Sequence, residues 1–302
     1  MNITDHTTKM TERYVMEMPG TIGGAKIIFK DDNESKYDTV NFEDNSERKL
    51  NHNQKLVEEA PYHPGYEGAV FYKGKSLSQA LRERMQTDGK RFWAGDNISE
   101  YIAESDKELL VEEATKAFET VLDTLLIDRH NDPNSKGTAR RLAKMYFNEI
   151  MAGRYDPRPD ATAFPNDTQD RYEGMLVVRS ELRSMCSHHH QPVSGVAYIG
   201  IIAANRLIGL SKYTRIAQWC SRRGTLQEEL ANDIAREIER ATGAEDLGVY
   251  IQATHGCCEN RGIMAHSSLT QTTVLKGAFK TDAGTKKEFM DNIKLQQEFA
   301  PR

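Results

Sequence analysis

The sequence predicts an α+β fold in which helices pack on one face of an antiparallel sheet. From about residue 105 onward, apolar residues recur first at helical spacing and then in short β-prone runs. The predicted order is helix, helix, strand, strand, helix, helix, strand, strand, which is typical of helices packed on an antiparallel sheet. A length of 302 residues is enough for one large domain or two ordinary ones.

Four segments have helical patterns. Residues 107–127 form an amphipathic pattern, and Thr138 can cap a second helix that continues through Ile150. Two further helices are predicted over residues 211–220 and 226–242, and Gly243 supplies a stop signal for the latter.

Four segments have strand patterns, separated by turn signals. They cover residues 175–178, 193–202, 247–253 and 267–275. The stretch from Tyr155 to Thr168 contains three prolines and is predicted to be a loop.

Composition changes near residue 105, which predicts two parts of the chain. Residues 1–104 are rich in charge, Asn and Gly, and we expect a partly ordered extension or a small subdomain. Within it, Ser76 to Met85 has the pattern of a short helix, whereas Asp31–Lys36 and Asn41–Asn45 resemble turns or exposed loops. Residues 105–302 form the main domain.

Bulk properties exclude several classes of protein. A formal net charge of -5 argues against broad nucleic-acid binding, and no apolar run approaches the roughly 20 residues that a membrane span needs. The N-terminus lacks a charged-then-apolar signal pattern. We therefore expect a cytoplasmic protein whose four cysteines are thiols or metal ligands.

Two short Cys/His clusters predict a metal site. The first is Cys186-Ser-His-His-His190 and the second is His255-Gly-Cys-Cys258. Cys186 and His189 have the spacing C-x-x-H, and Cys257 can complete three protein ligands, leaving a fourth position for water as in catalytic zinc sites.

A closed structural site remains the alternative to a catalytic one. In that case Cys258 or a further histidine would be the fourth ligand. The additional imidazoles His188 and His255 favour catalysis, because proton transfer near neutral pH needs titratable groups that a structural site does not.

Two further groups suit a nucleotide. Ser211, Lys212 and Arg215 lie within about one helical turn, and Arg261 follows the second cluster; a hydroxyl with several cations suits a polyphosphate, although an ordinary basic helix face has the same pattern. For Arg222 and Arg223 we expect only a solvated face.

Gln227 and Glu228 begin a predicted helix. A carboxylate is favoured there by the helix dipole alone, but a buried Glu could also accept hydrogen bonds from the N1–H and the exocyclic amine of guanine.

Together these motifs resemble the GTP cyclohydrolase I family over about residues 107–295. The motifs that carry the resemblance are Thr138-Ala-Arg-Arg-Leu-Ala-Lys-Met-Tyr146, Met185-Cys-Ser-His-His189, Ile208-Gly-Leu-Ser-Lys212 with Arg215, Leu226-Gln-Glu228, and Ala253-Thr-His-Gly-Cys257 with Arg261-Gly262. The resemblance implies the tunnelling fold (T-fold) and a toroidal homo-oligomer, usually a decamer, with active sites between subunits.

The resemblance also implies roles for single residues. The metal ligands would be Cys186, His189 and Cys257, holding zinc or iron(II). The acid–base residues would be His188 and His255. Guanine would be held by Gln227 and Glu228. The residues for the triphosphate and ribose would be Ser211, Lys212, Arg215 and Arg261, with Arg141 and Lys144 as further contributors.

The implied reaction is hydrolytic opening of GTP at C8, with formate release and rearrangement to 7,8-dihydroneopterin triphosphate. That product leads to folate, biopterin or deazapurines such as queuosine precursors. The alternatives are a related T-fold enzyme that prefers dGTP and an inactive zinc-stabilised binding module. The H-x-E and P-C-x-x-C pattern of zinc nucleoside deaminases is absent from the sequence.

Three features depart from the family pattern. Ser187 stands where the family usually has Glu, which predicts slower turnover or an altered ribose preference. His190 and Cys258 occupy positions that are usually apolar, and packing or incidental exposure is expected for both. Residues 1–104 are longer than the usual N-terminal arm.

Overall fold

The computed structural model describes residues 75–166 and 171–299, together with the backbone of four strands that precede them. The chain divides into two compact units. The first comprises Met1–Arg91 and Glu100–Arg140, and the second comprises Phe92–Ser99 and Arg141–Arg302.

The first unit contains a small antiparallel sheet in the order β1-β2-β3-β4. Its strands are β1 (Val15–Glu17), β2 (Lys26–Phe29), β3 (Tyr37–Glu43) and β4 (Val70–Tyr72).

The loop predicted over Asn41–Asn45 is therefore wrong for residues 41–43. The aromatic and β-branched residues that surround Asn41 favour a strand more strongly than the Asn disfavours it. Residues 44 and 45 and the turn predicted over Asp31–Lys36 lie outside the described residues.

Two helices follow in the first unit. Helix α1 (Leu77–Thr87) confirms the short predicted helix, and Ser76 and Gln79 form a capping box at its start. Helix α2 (Asp106–Thr124) confirms the amphipathic pattern, although it ends three residues early. The Glu113 carboxylate of α2 accepts a hydrogen bond of 2.7 Å from the backbone N–H of Leu77, so α2 also helps to cap α1.

The predicted helix from Thr138 to Ile150 is formed by α3 (Thr138–Met145) and a π-helical turn, Tyr146–Ile150. Helix α4 (Ala152–Tyr155) follows it. The loop predicted from Tyr155 to Thr168 contains a short strand, β5 (Ala163–Pro165), which pairs with β8 (Arg206–Ile208). Thr168 itself lies outside the described residues.

The second unit is built on a four-stranded antiparallel sheet in the order β10-β9-β7-β6. The strands are β6 (Met175–Met185), β7 (Pro192–Ile202), β9 (Leu247–His255) and β10 (Thr270–Leu275). The first three contain the predicted strands, and β10 begins three residues later than the predicted strand over 267–275. Side chains alternate between the two faces of the sheet along a strand. Ala197 and Ile199 of β7 therefore lie in the apolar core on one face, and Tyr198 lies in the apolar core on the other.

One face of this sheet carries the two predicted helices, α5 (Leu210–Ser221) and α6 (Gln227–Thr242). Ile216 of α5 and Ile234 of α6 are buried in the same core as Ala197 and Ile251 of the sheet. Gly243 ends α6 in the left-handed conformation (φ +72°), as its position predicts.

The other face is covered as well, so the expectation of helices on one face alone is wrong. Helices α8 (Ala278–Thr281) and α9 (Ala283–Phe299) place Phe279 and Phe289 against Tyr198 and Tyr250 of the sheet. The close approach depends on glycine, because a Cβ at Gly200 would lie 2.6 Å from the Phe289 ring. Between β9 and β10 lies a short helix, α7 (Gly256–Glu259).

Within the described residues, none of the helices combines the length and the apolar character that crossing a membrane requires.

Candidate metal and nucleotide site

The register of the sheet brings the two Cys/His clusters to the same end. Met185, the last residue of β6, pairs with Pro192, the first residue of β7, and the neighbouring Val193 pairs with His255 at the end of β9. The turn after β6 and the helix after β9 therefore start side by side, although about 70 residues separate them in the sequence.

The first cluster forms the turn between β6 and β7. The N–H of Cys186 donates to the carbonyl of Gln191 at 2.9 Å, and the N–H of His190 donates to the carbonyl of Cys186 at 2.9 Å. The Cys186 side chain is buried, whereas His188 and His189 are exposed with their ring centroids 6.4 Å apart. Only the thiol end of the cluster thus belongs to the packed interior.

His190 closes this turn. Its φ of +50° is the left-handed conformation, which is uncommon outside glycine. Its Nδ1 lies 3.2 Å from the hydroxyl of Tyr146, and the two ring centroids are 5.7 Å apart. These contacts give His190 a structural role in the turn.

The second cluster is packed more closely. Gly256 begins α7 against β7, since a Cβ on it would lie 3.1 Å from Pro192. Cys257 and Cys258 are partly buried, with their sulfur atoms 4.0 Å apart. Burial, followed by the neighbouring Cys186 thiol, raises the pKa of the Cys257 thiol to about 11. Cys186 and Cys257 are thus direct neighbours.

The donor chemistry at this end of the sheet fits a zinc ion in part. Two adjacent thiols, with His189 three residues after one of them, form a sulfur and nitrogen donor set that zinc prefers. Over residues 75–166 and 171–299, however, no group of three His, Cys, Asp or Glu side chains is arranged so that it could hold a metal ion. The fold joins the two cysteines but does not by itself assemble the complete predicted ligand set.

His255 is held by Gln227. The ring atom Nε2 of His255 lies 2.7 Å from Oε1 of Gln227, the first residue of α6. Burial lowers the pKa of His255, and the carboxylates of Glu228 and Glu259 oppose that shift.

The two residues predicted to hold guanine are in different environments. The side chain of Gln227 is buried at 3% exposure and makes hydrogen bonds within the chain, whereas Glu228 in the same helical turn is exposed. Of this pair, Glu228 therefore offers the side chain that is open to a ligand.

The residues predicted for the triphosphate start helix α5. Ser211 and Arg215 are exposed and Lys212 is partly buried. At the other end of α5, the Ser221 hydroxyl donates to the carbonyl of Arg183 at 3.1 Å, three residues before Cys186. A helix rises 1.5 Å per residue, so Ser211 lies about 15 Å along the axis from that contact. Ser211 and Lys212 are therefore at the opposite end of α5 from the contact with the strand that leads to Cys186.

The remaining predicted residues are on the surface. Arg261 is exposed in the turn that follows α7, and Arg141 and Lys144 are exposed on α3. Sequence reasoning did not identify Thr270 and Thr272 of β10, which bind the Gln227 side chain. It also did not predict that Gly95, in the segment 92–99, lies against Thr225 just before α6.

Comparison with known proteins agrees with these motifs. A model of the GTP cyclohydrolase I family matches residues 114–294. A protein named GTP cyclohydrolase 1 from Flavobacterium johnsoniae is 39% identical over 191 residues, which cover 63% of this chain and 84% of the relative.

Two other relatives have the same name. The protein from Aeromonas salmonicida is 38% identical over 58% of this chain and 79% of its own length. The protein from Aliivibrio fischeri is 29% identical over 76% of this chain and 98% of its own length.

Proposed function

Because the chain belongs to the GTP cyclohydrolase I family, we propose that it opens the imidazole ring of GTP by hydrolysis at C8, releases C8 as formate and forms 7,8-dihydroneopterin triphosphate. The observation that carries this proposal is the meeting of Cys186 and Cys257 at one end of the sheet, beside His255. A thiol pair can hold a zinc ion that activates water, and an adjacent imidazole can transfer protons, so this arrangement suits hydrolysis at a heteroaromatic carbon.

The metal in this proposal is zinc, with iron(II) as an alternative that the same donor atoms accept. Cys186, His189 and Cys257 would hold it. Bound there, the metal would supply the Lewis acidity that makes water nucleophilic near neutral pH.

The protein's own side chains would manage the protons and the substrate. His188 and His255 would take a proton from the attacking water and return one to the departing ring nitrogen. Glu228 would accept hydrogen bonds from the N1–H and the amino group of guanine, which selects guanine over adenine.

The triphosphate is not a leaving group in this reaction. Ser211, Lys212, Arg215 and Arg261, with Arg141 and Lys144, would therefore bind and orient it rather than take part in the chemistry.

Several of these residues would act on a site in a neighbouring protomer. By the rise of an α-helix, the start of α5 lies about 15 Å from the contact of Ser221 with Arg183. A site completed between subunits would bring the start of α5 in one subunit to the cysteines of another. We therefore propose the toroidal homo-oligomer, a decamer in the family pattern, with GTP bound between subunits.

The wider setting is also proposed. We expect a cytoplasmic enzyme whose product supplies a folate, biopterin or deazapurine pathway. We further propose that residues 1–104 act as an N-terminal extension to a catalytic domain over residues 105–302.

The test is to incubate the purified, metal-loaded protein with GTP and with dGTP, with and without a chelator. The expected result is release of formate and the absorbance of a dihydropterin, both abolished by the chelator. A much higher rate with dGTP than with GTP would identify dGTP as the preferred substrate. No formate from either nucleotide would contradict the proposal and favour an inactive zinc-stabilised binding module.

A further inference from the structure

The amide group of Gln227 has only one orientation that its surroundings accept. Its nitrogen Nε2 lies 3.2 Å from the carbonyl oxygen of Thr270, 3.4 Å from the carbonyl oxygen of Ile251 and 3.2 Å from the hydroxyl of Thr272. Backbone carbonyls only accept hydrogen bonds, so the atom that faces them must be the N–H₂ group. Turning the amide over would set its oxygen against two carbonyl oxygens in a buried position, which is unfavourable.

The orientation of the amide determines the proton on His255. With the N–H₂ group facing the carbonyls, Oε1 of Gln227 faces Nε2 of His255 at 2.7 Å and can only accept a hydrogen bond. Nε2 must then carry a hydrogen. In a neutral imidazole the other nitrogen, Nδ1, is then without one.

We propose that Gln227 is a positioning residue that accepts a hydrogen bond from the Nε2–H group of His255 and so fixes the tautomer and the orientation of the ring. The inference rests on the proposed function, and it changes the role of Gln227 from a guanine ligand to a support for the catalytic imidazole.

Placement in the fold supports this role. Gln227 begins α6, and its partners come from β9 and β10, so a helix and two strands together determine the position of one imidazole. The side chain is 3% exposed, which leaves little of it available to a base. A residue whose own conformation is determined by packing is suited to hold a catalytic group in place.

The first experiment measures the tautomer without any turnover. The metal-loaded protein is labelled with ¹⁵N-histidine and studied by solid-state NMR at about pH 8, where a free imidazole is neutral. The His255 signals are identified from their absence in His255→Ala. We expect a protonated Nε2 and an unprotonated Nδ1; a protonated Nδ1 would overturn the inference.

The second experiment separates positioning from substrate binding. Gln227→Met keeps the length of the side chain and removes both hydrogen-bonding groups. We expect kcat to fall about 10- to 100-fold, with KM for GTP changed less than about threefold. A raised KM with an unchanged kcat would overturn the inference and make Gln227 a guanine ligand.

A matched control is available on the same strand as His255. Gln252 lies on the opposite face of the sheet, where its Oε1 accepts a hydrogen bond of 2.7 Å from Gln297. Gln252→Met is the same chemical change away from the imidazole, and we expect kcat and KM within about twofold of the parent. An equal loss of kcat in both variants would show a general effect of the substitution and contradict positioning.

These results are distinguishable from a failure of the proposed function. If the parent protein releases no formate, the proposed reaction fails while the NMR measurement still decides the tautomer. If the parent is active and His255 is the Nδ1–H tautomer, the reaction stands and the role of Gln227 fails.

Discussion

The two Cys/His clusters meet at one end of the sheet but are held in different ways. In the turn after β6, Cys186 is buried while His188 and His189 are exposed. At the end of β9, His255 and Cys257 are both partly buried, and His255 is bound to Gln227. In the first cluster Cys186 is the one fully buried side chain, whereas the side chains of His255 and Cys257 in the second are both held among neighbours.

This difference suggests that the two clusters contribute to a metal site in different ways. The second cluster, His255–Cys258, is called the strand-end cluster below. It can supply a preformed sulfur ligand and an oriented imidazole, because its side chains are already positioned by neighbours. The first cluster, Cys186–His190, is called the turn cluster below. It can supply ligands whose final position depends on the metal and, in an oligomer, on an adjacent subunit.

Removing either thiol should have the largest effect. We expect Cys186→Ser and Cys257→Ser to lose bound metal and to reduce formate release about 1000-fold, the equivalent of roughly 4 kcal/mol of transition-state stabilisation. Metal content is measured by elemental analysis. Cys258→Ser is the matched control, since its sulfur lies 4.0 Å from that of Cys257, and it should retain the metal. Metal loss in Cys258→Ser but not in Cys257→Ser would assign the ligand to the other thiol.

The two histidines proposed as acid–base residues should respond differently to chemical rescue. We expect both His188→Ala and His255→Ala to keep their metal and to lose about 100-fold or more in kcat. Added imidazole should restore part of the activity of His188→Ala, because His188 is exposed. It should restore little in His255→Ala, where a free imidazole would have to enter a partly buried position beside Gln227. Equal rescue of both variants would contradict the difference between the clusters.

A smaller effect is expected at the joint between the strand-end cluster and β7. In Gly256→Ala the new Cβ would lie 3.1 Å from Pro192 and from Asn260, so both must move by a few tenths of an ångström. We expect a loss of about 1 kcal/mol in the free energy of unfolding, measured by denaturant titration. The exposed Gly262→Ala variant tests a glycine with a positive φ and no neighbour within 4 Å, so it separates backbone strain from crowding.

The smallest effect concerns Ser187 in the turn cluster. We expect Ser187→Glu to change kcat/KM for GTP, or the ratio between GTP and dGTP, by about fivefold, since one added charge at about 4 Å in water is worth roughly 1 kcal/mol. Steady-state kinetics with both nucleotides measure the change. Identical values for the parent and the variant would rule out a role for Ser187 in setting the family difference.

Periodicity predicted the parts of the fold whose apolar residues follow one period. Helix α6 is an example, because Leu230, Ile234 and Ile238 recur every fourth residue and are all buried. Helix α9 was not predicted, since only Phe289 and Ile293 of its residues are buried. Phe289 can pack on the sheet because Gly200 and Gly248, which are distant from it in sequence, leave room for its ring.

The site was predictable to a similar extent. The two Cys/His clusters could be recognised from their composition. The strand register of the structure then shows that they lie at the same end of the sheet. The hydrogen bonds that hold the Gln227 side chain were not predictable, because Thr270 and Thr272 lie more than 40 residues further along the chain. Arg223 shows the same limit: it was expected on a solvated face, but it is 5% exposed and stacks 3.7 Å from the ring centre of Trp219.

The most direct test of a single metal site built from both clusters is X-ray absorption spectroscopy at the zinc edge of the zinc-loaded protein. We expect two sulfur ligands at about 2.3 Å together with nitrogen or oxygen ligands at about 2.0–2.1 Å. One of the two sulfur ligands should be lost in Cys186→Ser and one in Cys257→Ser, if either variant retains any zinc. A spectrum with no sulfur ligand, or with the same two sulfur ligands in both variants, would contradict a site shared by the two clusters.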